Sequence, residues 1–324
     1  MTHAIRFHAI GGPEVLRWER VVVPAPGPGE ALVRHTAVGV NFIDTYHRTG
    51  LYPLALPSGL GMEAAGVVEA VGEGVAEVEV GQRVAYACLP VGAYAEARTI
   101  RADRLVPLPP GVDDRTAAAA LLKGMTAQYL LRSTFRVGPG HAVLVHAAAG
   151  GVGLLACQWA RHLGATVIGV VSSEAKAELA LANGCHHVVV AGHEDLVARV
   201  RELTGGEGVH VVYDSVGKDT WDASLDCLRR RGMMVSFGNA SGPVPPIQPL
   251  VLSRKGSLYL TRPTLMDYTA TRRELLECAG ELFEVLESGA VRVRIHATYP
   301  LAAAASAHRD LESRRTAGSL LLLP

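Results

Sequence analysis

The pattern of apolar and polar residues changes twice along the chain, and each change predicts a different type of structure. Over residues 1–125, short apolar bursts such as 31–38, 66–71 and 82–86 are separated by turn-forming stretches such as Pro26-Gly27-Pro28-Gly29. Short strands at this spacing, bounded by glycine and proline, predict a compact β-rich domain.

Residues 126–262 have a different rhythm, in which apolar runs of strand length alternate with segments of helix length. This alternation is typical of a parallel sheet with helices on its faces. Strands are predicted at 142–147, 165–171, 187–190, 209–213, 233–237 and 257–260, and helices at 154–163, 174–182 and 194–204. Ligands of such sheets bind at the carboxyl ends of the strands, so residues 215–217 and 237–238 are expected beside a bound cofactor.

The pattern changes again from about residue 263. Predicted elements there are an amphipathic helix at 271–288 ended by Gly289, a strand at 291–299, a helix at 301–312 and a strand at 319–323. The sequence therefore predicts an α/β protein in which a doubly wound parallel sheet forms one domain beside a β-rich domain.

Composition and charge exclude several classes of protein. The 324 residues suggest about two domains, and a hydrophobic share of 49% excludes a disordered chain. The 31 basic and 31 acidic side chains balance, so no electrostatic reason favours nucleic acid or an anionic membrane as the partner. The apolar runs fall short of the ~18 residues that span a bilayer. The first residues lack the apolar segment of a secretory signal, and we expect a cytoplasmic protein.

The cysteines give no sign of a metal site or a disulfide framework. There are five, and the closest two, Cys157 and Cys185, lie 28 positions apart. The sequence contains neither a Cys-x-x-Cys pair nor a His-Glu-x-x-His motif. Small buried thiols are therefore the expected state of these cysteines.

A glycine-rich turn follows the first predicted strand of the middle segment. Its pattern, Ala148-x-Gly150-x-x-Gly153, departs from the Gly-x-Gly-x-x-Gly fingerprint at the first position, and alone it is a weak signal. Its place between two strands and before a helix strengthens it, because these elements form a dinucleotide-binding unit. A pyrophosphate approaches the amides at such a helix N-terminus, where a Cβ would block it.

The residues after the second strand bear on the choice between NADPH and NADH. An NADH site usually carries Asp or Glu there, which accepts a hydrogen bond from the ribose 2′-hydroxyl. Here Ser172 and Ser173 precede Glu174 and Lys176, and two hydroxyls with an ammonium can surround a 2′-phosphate. The alternative is that Ser173 is an N-cap and Lys176 an exposed helix residue. An inward-facing Glu174 would repel the phosphate, whereas an outward-facing one would only favour the start of the helix.

Five segments carry a resemblance to a known family. They are Asn41-Phe-Ile-Asp-Thr-Tyr46, Gly59-Leu-Gly-Met-Glu-Ala-Ala-Gly66, Leu122-Lys-Gly-Met-Thr-Ala127, His146-Ala-Ala-Ala-Gly-Gly-Val-Gly153 and Val212-Tyr-Asp-Ser-Val-Gly217. They resemble the quinone oxidoreductases, the zinc-free, zeta-crystallin-like branch of the medium-chain dehydrogenase/reductase superfamily, and the resemblance extends over essentially the whole chain. It implies a GroES-like catalytic domain (1–125 with 263–324), an inserted Rossmann domain (126–262), an active site in the cleft between them, and a homodimer.

The resemblance also implies a site without metal. Zinc-dependent relatives place a cysteine where this chain has Asn41 and a histidine where it has Met62. Neither an amide nor a thioether is a competent Zn²⁺ ligand. Glu63 is retained, but a single carboxylate is not a metal site.

Carried over residue by residue, the resemblance implies an NADPH site and a quinone pocket. The residues expected around NADPH are Phe42, Ile43, Asp44, Thr45, Tyr46, Thr126, Tyr129, Gly150, Gly151, Val152, Ser172, Ser173, Lys176, Val216, Phe237, Gly238 and Arg314. Those expected to line the pocket near the nicotinamide are Asn41, Tyr46 and Tyr52. One departure is Ala191, because close relatives often carry a tyrosine there that packs on the adenosine.

The implied reaction is hydride transfer from nicotinamide C4 to a quinone. A quinone is a strong electron acceptor, so the transfer mainly needs stacking, exclusion of water and orientation. Asn41 and Tyr52 can donate hydrogen bonds to a developing quinol oxygen. For each tyrosine the alternative is ordinary packing with a solvated hydroxyl.

Two other functions remain open at this stage. The first is an NADPH-dependent enone reductase, which uses the same hydride geometry but must also protonate a carbanion. The second belongs to another class, a structural or RNA-binding protein that keeps NADPH as a stabilising ligand. A turnover assay with NADPH and a simple quinone separates that class from the enzymes.

Overall fold

The computed structural model describes residues 2–324 and divides them into two compact units. The first unit comprises the residues up to Met125 together with Thr269–Glu287 and Val293–Pro324, and the second comprises Thr126–Tyr268 and Ser288–Arg292. The domain limits expected from the sequence stay a prediction. The compact units differ from them in that residues 263–268 and 288–292 belong to the second unit.

The strands, in chain order, are β1 (Thr2–Phe7), β2 (Arg17–Val21), β3 (Glu30–Val40), β4 (Ser58–Gly59), β5 (Glu63–Val71), β6 (Arg83–Ala87), β7 (Ala97–Arg101), β8 (Val106–Pro107), β9 (Ala142–His146), β10 (Thr166–Val171), β11 (His187–Val190), β12 (Val209–Asp214), β13 (Leu228–Ser236), β14 (Tyr259–Thr261), β15 (Ile295–Pro300) and β16 (Ser319–Leu323).

The α-helices are α1 (Phe42–Thr49), α2 (Asp114–Tyr129), α3 (Gly151–His162), α4 (Glu174–Ala182), α5 (Leu196–Leu203), α6 (Trp221–Cys227), α7 (Leu250–Arg254), α8 (Leu265–Tyr268), α9 (Arg272–Glu287) and α10 (Ala304–Glu312). Short 3₁₀ turns lie at Pro13–Val15, Ala102–Arg104 and Leu301–Ala303, and α2 runs into a π-helical turn at Leu130–Thr134. No helix among residues 2–324 combines the length and apolar character needed to cross a membrane.

The first unit is the β-rich one that the spacing of short strands predicts. Its larger sheet has the order β15-β16-β3-β5-β6-β8, with β7 also paired to β3, and its smaller sheet has the order β2-β1-β4. The pairs are antiparallel except for β15 with β16. Phe7, Val33, Tyr86 and Leu322 are fully buried members of its core. Strand β3 leads directly into α1, where part of the candidate site lies.

The second unit contains a six-stranded, fully parallel sheet with the order β11-β10-β9-β12-β13-β14. Numbered from β9, this order is 3-2-1-4-5-6, the doubly wound arrangement in which the strand order reverses between the first and fourth strands. The prediction of a parallel α/β sheet is therefore confirmed. The reversal point lies between β9, which ends at His146, and β12, which ends at Asp214.

Several element boundaries differ from the sequence expectation, each for a physical reason. Helix α3 begins at Gly151 rather than residue 154, because the glycines themselves form its first turn. Strand β13 begins at Leu228 rather than residue 233. Its first half carries three consecutive arginines, of which Arg230 and Arg231 are exposed, so the apolar pattern that marks a buried strand is missing there.

Candidate active site

In the first unit, the turn from β3 into α1 is fixed by hydrogen bonds at Asn41 and Asp44. Asn41 is the N-cap of α1, with extended backbone angles. The Asp44 carboxylate Oδ2 accepts from the Asn41 backbone N–H at 2.9 Å, which satisfies a donor that would otherwise be unpaired at the helix start. The acidic side chain in the first turn also complements the helix dipole.

Three aromatic rings cluster on one side of this helix start. The rings of Phe42 and Tyr46 lie 5.6 Å apart in edge-to-face geometry, and those of Tyr46 and Tyr52 lie 5.2 Å apart. The Tyr52 N–H donates to the Tyr46 carbonyl at 3.0 Å, which ties the segment after α1 back onto the helix. The structure thus brings Asn41, Tyr46 and Tyr52, predicted as pocket residues, into one short segment.

The Asn41 side chain is also held by a buried ion pair. Its amide Nδ2 donates to Glu63 Oε2 at 2.8 Å, and the Lys123 ammonium donates to the same oxygen at 3.1 Å. Glu63 Oε1 accepts from the Leu122 N–H at 2.6 Å. The Glu63 and Lys123 side chains are 0% and 6% exposed, so this carboxylate accepts hydrogen bonds from three donors and is shielded from water. We call Asn41, Glu63 and Lys123 the Glu63 cluster.

The close packing of this cluster depends on a glycine in β3. A Cβ added at Gly39 would lie 2.2 Å from Glu63 Oε2 and 2.3 Å from the Ala118 carbonyl oxygen. Both distances are too short for a side chain at residue 39. A glycine is therefore needed there for Glu63 to bond with Leu122 and Lys123 of α2. From the sequence, Glu63 is a single carboxylate, and Lys123, 60 residues away, is not recognisable as its partner.

A second buried network runs from Asp44 away from the aromatic cluster. Arg48 donates to His308 Nδ1 at 2.9 Å, His308 Nε2 and the Tyr94 hydroxyl are 3.0 Å apart, and Tyr94 donates to Asp44 Oδ2 at 2.9 Å. An arginine can only donate, so His308 carries its proton on Nε2 and every bond points toward Asp44. Burial, with Arg48 adding to it, lowers the pKa of His308 to about 3, so the imidazole is neutral.

The side chains of Asp44 and Thr45 therefore form hydrogen bonds within the first unit. Asp44 is fully buried, and the Thr45 hydroxyl, also buried, donates to the Phe42 carbonyl at 2.7 Å. Both residues were expected to contact NADPH. Contact of either residue with NADPH stays a prediction. Phe42 and Ile43 are partly exposed.

In the second unit, the glycine-rich turn has the geometry of a phosphate-binding loop. Ala147 adopts a left-handed φ of 51°, and the Gly150 N–H closes the turn by donating to the Ala147 carbonyl at 2.8 Å. A Cβ at Gly153 would lie 2.2 Å from that same carbonyl oxygen. The helix thus packs directly on the strand end, and the first-turn amides, including those of Gly151 and Val152, have no intrahelical acceptor. This arrangement fits a dinucleotide pyrophosphate.

Asp214 orders the loop on the other side of the reversal point. Its Oδ1 accepts from the N–H groups of Val216 at 2.8 Å and Gly217 at 3.0 Å. Its Oδ2 accepts from the hydroxyls of Thr220 at 2.7 Å and Ser224 at 2.8 Å. Four donors account for this fully buried carboxylate, so Asp214 supports the loop and is not free to bind a ligand. Residues 215–217 lie at a strand end, as predicted from the sequence, whereas this role of Asp214 was not predicted.

The loops after β12 and β13 are joined to each other. The Ser241 N–H donates to the Val216 carbonyl at 2.8 Å, and the Phe237 N–H donates to the Asp214 carbonyl at 2.8 Å. A Cβ at Gly238 would lie 2.4 Å from the Ser215 carbonyl oxygen. Val216 and Phe237 are partly exposed. The predicted cofactor residues Val216, Phe237 and Gly238 therefore share one layer at the carboxyl ends of adjacent strands.

At the end of β10, the residues expected around a 2′-phosphate form a small group in which Ser172 is exposed and Ser173 and Lys176 are partly exposed. The Lys176 ammonium donates to the Ser172 hydroxyl at 3.2 Å. Ser173 is the N-cap of α4, as the structural alternative holds, but its side chain makes no capping hydrogen bond. Its position at the helix start therefore does not use up its hydroxyl.

The remaining predicted cofactor residues are dispersed. Thr126 and Tyr129 lie on the buried last turn of α2, where the Tyr129 ring stacks on Tyr268 with centroids 4.5 Å apart. Arg314 belongs to the first unit and is exposed in the loop after α10. Among residues 2–324, no group of three or more histidine, cysteine, aspartate or glutamate side chains is arranged to hold a metal ion.

Comparisons with known proteins agree with this architecture. Residues 27–110 match the alcohol dehydrogenase GroES-like domain, and residues 151–283 match the zinc-binding dehydrogenase family. A quinone oxidoreductase of Pseudomonas aeruginosa is 54% identical over 325 residues, covering 100% of both chains. A 2-haloacrylate reductase of a Burkholderia species is 49% identical over 331 residues, covering 100% of this chain and 99% of the relative.

The solved structure of Escherichia coli quinone oxidoreductase complexed with NADPH is similar over 99% of this chain and 100% of that one, with a TM-score of 0.98 and 52% identity. The predicted combination of a doubly wound sheet with a GroES-like domain is thereby confirmed. The chain belongs to the quinone oxidoreductase family of the medium-chain dehydrogenase/reductase superfamily.

Proposed function

We propose that this protein is an NADPH-dependent quinone reductase that works without a metal ion. The observation that carries the proposal is the similarity, over essentially the whole chain, to a quinone oxidoreductase solved with NADPH. When bound, NADPH supplies a hydride from nicotinamide C4, so that NADPH, a quinone and a proton become NADP⁺ and a hydroquinone.

The second unit supplies the cofactor-binding groups in this proposal. The first turn of α3 presents Gly151 and Val152 amides to the pyrophosphate, at the positive end of the helix dipole. Ser172, Ser173 and Lys176 bind the 2′-phosphate through hydroxyls and one ammonium. The layer of Val216, Phe237 and Gly238 supports the nicotinamide half, because ligands of doubly wound sheets lie across the carboxyl strand ends. The contacts with Phe42–Tyr46, Thr126, Tyr129 and Arg314 remain part of the proposal.

The first unit supplies the groups that orient the quinone. Asn41 Nδ2 carries two protons, and the bond to Glu63 uses one. We assign the other to a quinone oxygen, where the hydrogen bond strengthens as negative charge develops. The partly exposed Tyr52 is the second donor, while the buried Tyr46 ring holds Tyr52 in place. No side chain in this scheme must act as a general acid, because a hydroquinone oxygen can take its second proton from water.

Absence of metal belongs to the same proposal. The Asn41 amide is bonded to Glu63, and the carboxylate is already bonded by Lys123 and Leu122. These donors neutralise and occupy the one retained carboxylate. A cation would have to displace the Lys123 ammonium from a site that excludes water.

We further propose a cytoplasmic homodimer. Strand β14 is the edge of the parallel sheet, and its Tyr259 side chain is 59% exposed. Pairing of β14 with its copy would satisfy the open backbone groups of this edge. Light scattering at micromolar concentration would give twice the chain mass of 34.2 kDa, whereas a monomer mass would reject the dimer.

The test of the activity is a comparison of electron acceptors. Purified protein is mixed with NADPH and 1,4-benzoquinone, 2-chloroacrylate or no acceptor, and NADPH oxidation is followed. We expect saturable, quinone-dependent oxidation. A folded protein that binds NADPH but reduces no acceptor would instead favour the structural or RNA-binding class.

An activated-alkene reductase is the second candidate, and the 49% identical 2-haloacrylate reductase is the observation that favours it. The same hydride geometry would serve, but the carbanion formed must be protonated. Tyr52 is then the donor to test, since the residue is partly exposed. Faster turnover with 2-chloroacrylate than with 1,4-benzoquinone, lost in Tyr52→Phe, would select this function.

A further inference from the structure

The sequence leaves open whether Glu174 faces the 2′-phosphate, and the side chain that bears on this in the structure is His193. His193 Nδ1 lies 3.2 Å from Glu174 Oε1, and the two side chains are 63% and 74% exposed. Glu174 follows the two serines expected at the 2′-phosphate, so its direction determines whether an acidic group faces that phosphate. In the structure, this carboxylate is paired with an imidazole.

The backbone after β11 explains why His193 reaches this place. Strands β10 and β11 are paired in parallel, with Val171 opposite Val190, and the Ala191 N–H donates to the Val171 carbonyl at 2.9 Å. Gly192 has a left-handed φ of 83°, and the His193 N–H closes the turn on the Val190 carbonyl at 3.1 Å. Because only glycine takes this conformation without strain, the turn returns His193 to the first turn of α4.

The charges at this strand end have opposite preferences for the phosphate. Lys176, bonded to Ser172, attracts it, whereas an unpaired Glu174 would repel it. At 0.1 M ionic strength the Debye length is about 10 Å, so an exposed charge within that distance of the phosphate still interacts with it. A partner that holds the Glu174 carboxylate therefore favours NADPH over NADH.

We propose that His193 is a specificity-determining residue for the cofactor, and that it acts through Glu174 by keeping the carboxylate paired and away from the 2′-phosphate. The proposal rests on NADPH being the cofactor. It gives this chain its own way of favouring the phosphate, at a strand end where Ala191 offers no aromatic surface.

A double-mutant cycle measured by calorimetric binding tests it, with NADP⁺ and NAD⁺ as the probes. H193A should weaken NADP⁺ binding by about 1.5-fold to fivefold, the range expected for an exposed pair, and leave NAD⁺ binding unchanged. E174Q should bind NADP⁺ at least as tightly as the wild type. H193A/E174Q should bind NADP⁺ like E174Q, since no carboxylate then remains to be held. The control is H162A, an exposed histidine at the end of α3, which should change neither affinity.

Three results would overturn the inference. Equal losses for both cofactors in H193A would show a structural role, and the same loss in the E174Q background would show that His193 does not act through Glu174. No loss in H193A while the wild type prefers NADP⁺ would reject His193 alone and leave the proposed function intact. A wild type that binds NAD⁺ as tightly as NADP⁺ would reject the NADPH proposal and this inference together.

Discussion

The two units each contain a charged cluster at a helix start, and the clusters differ in how their charges are treated. In the Glu63 cluster of the first unit, Glu63 and Lys123 are 0% and 6% exposed, and Glu63 accepts from Lys123, Asn41 and the Leu122 N–H. At the start of α4 in the second unit, Glu174 and His193 are 74% and 63% exposed. One cluster excludes water, and the other is immersed in it.

The difference in exposure suits the two clusters to different roles, the positioning of Asn41 and the choice between cofactors. A buried ion pair is held in one geometry, because breaking it leaves an uncompensated charge in a medium of low dielectric constant. Such a pair suits the positioning of Asn41. Exposed charges are screened and interact weakly, so they can bias the choice between similar cofactors without fixing the fold. We therefore expect substitutions in the first cluster to affect stability and those in the second to affect affinity.

The largest effect is expected for Lys123→Met, which leaves the Glu63 charge without its partner. The free energy of unfolding should fall by about 3–5 kcal/mol, the usual cost of breaking a buried pair. Arg273→Met is the matched control, because Arg273 pairs with Glu277 at 3.3 Å on the exposed face of α9. It should cost no more than about 0.5 kcal/mol. Urea unfolding measures both variants, and equal losses would mean that burial of the Glu63 cluster has no energetic consequence.

Next in size is the pH dependence that Asp44 imposes on stability. Burial is the main cause that raises the pKa of Asp44 from 3.8 to about 7. No hydrogen-bond partner for its Oδ1 lies within the described part of the chain. Between pH about 4 and about 7, the native state binds a proton that the unfolded state has released, so this group's contribution to stability decreases as pH rises.

Asp44→Asn mimics the protonated form and removes that contribution. Relative to the wild type, the variant should gain stability by a few kcal/mol as the pH rises from about 4 to about 8. Urea unfolding at both ends of this range measures the change. An Asp44→Asn difference that stays constant across the range would show that Asp44 does not titrate there.

Gly151→Val should weaken NADPH binding more than tenfold while the protein stays folded. Gly151 is the first residue of α3, and a branched side chain there would stand where the pyrophosphate approaches the amides. Fluorescence titration with NADPH gives the affinity, and circular dichroism monitors the fold. Gly153→Val provides the contrast, because its Cβ would meet the Ala147 carbonyl oxygen at 2.2 Å and should destabilise the fold itself. Unchanged NADPH affinity in folded Gly151→Val would exclude this turn as the pyrophosphate site.

The smallest of these effects is expected for Lys176→Ala. A charge-assisted hydrogen bond contributes roughly 1.5–3 kcal/mol, and solvent exposure moves it toward the lower value. The apparent KM for NADPH should rise about tenfold, whereas that for NADH should hardly change because NADH has no 2′-phosphate. Steady-state kinetics with both cofactors measure the difference. Parallel losses with both would place Lys176 at the adenine or in the fold.

Sequence reasoning succeeded where the determinants are local. Helix α4 and strand β11 lie at the predicted residues 174–182 and 187–190, because turn signals such as Asn183-Gly184 bound them. Strand β13 was predicted too short, since its arginine-rich first half lacks an apolar pattern. The parallel sheet follows from the alternation of strands and helices, which the sequence shows directly.

The polar partners inside the units could not be predicted in this way. Lys123 lies 60 residues from Glu63, and His308 lies 214 residues from Tyr94. Nothing in the local pattern links such residues. One available signal was Lys123 itself, because the chain has only four lysines and this one lies directly after the apolar run 117–122 of α2. Likewise, the direction of Glu174 depends on the turn at Gly192, which local spacing around α4 does not reveal.

The most direct test of the account is the rate of NADPH oxidation with 1,4-benzoquinone by protein treated with a chelator and analysed for zinc. We predict quinone-dependent turnover that is retained without stoichiometric zinc. At limiting cofactor, turnover should be faster with NADPH than with the same concentration of NADH. Turnover that disappears on chelation and returns with Zn²⁺, or a folded, NADPH-binding protein that leaves the quinone unreduced, would contradict it.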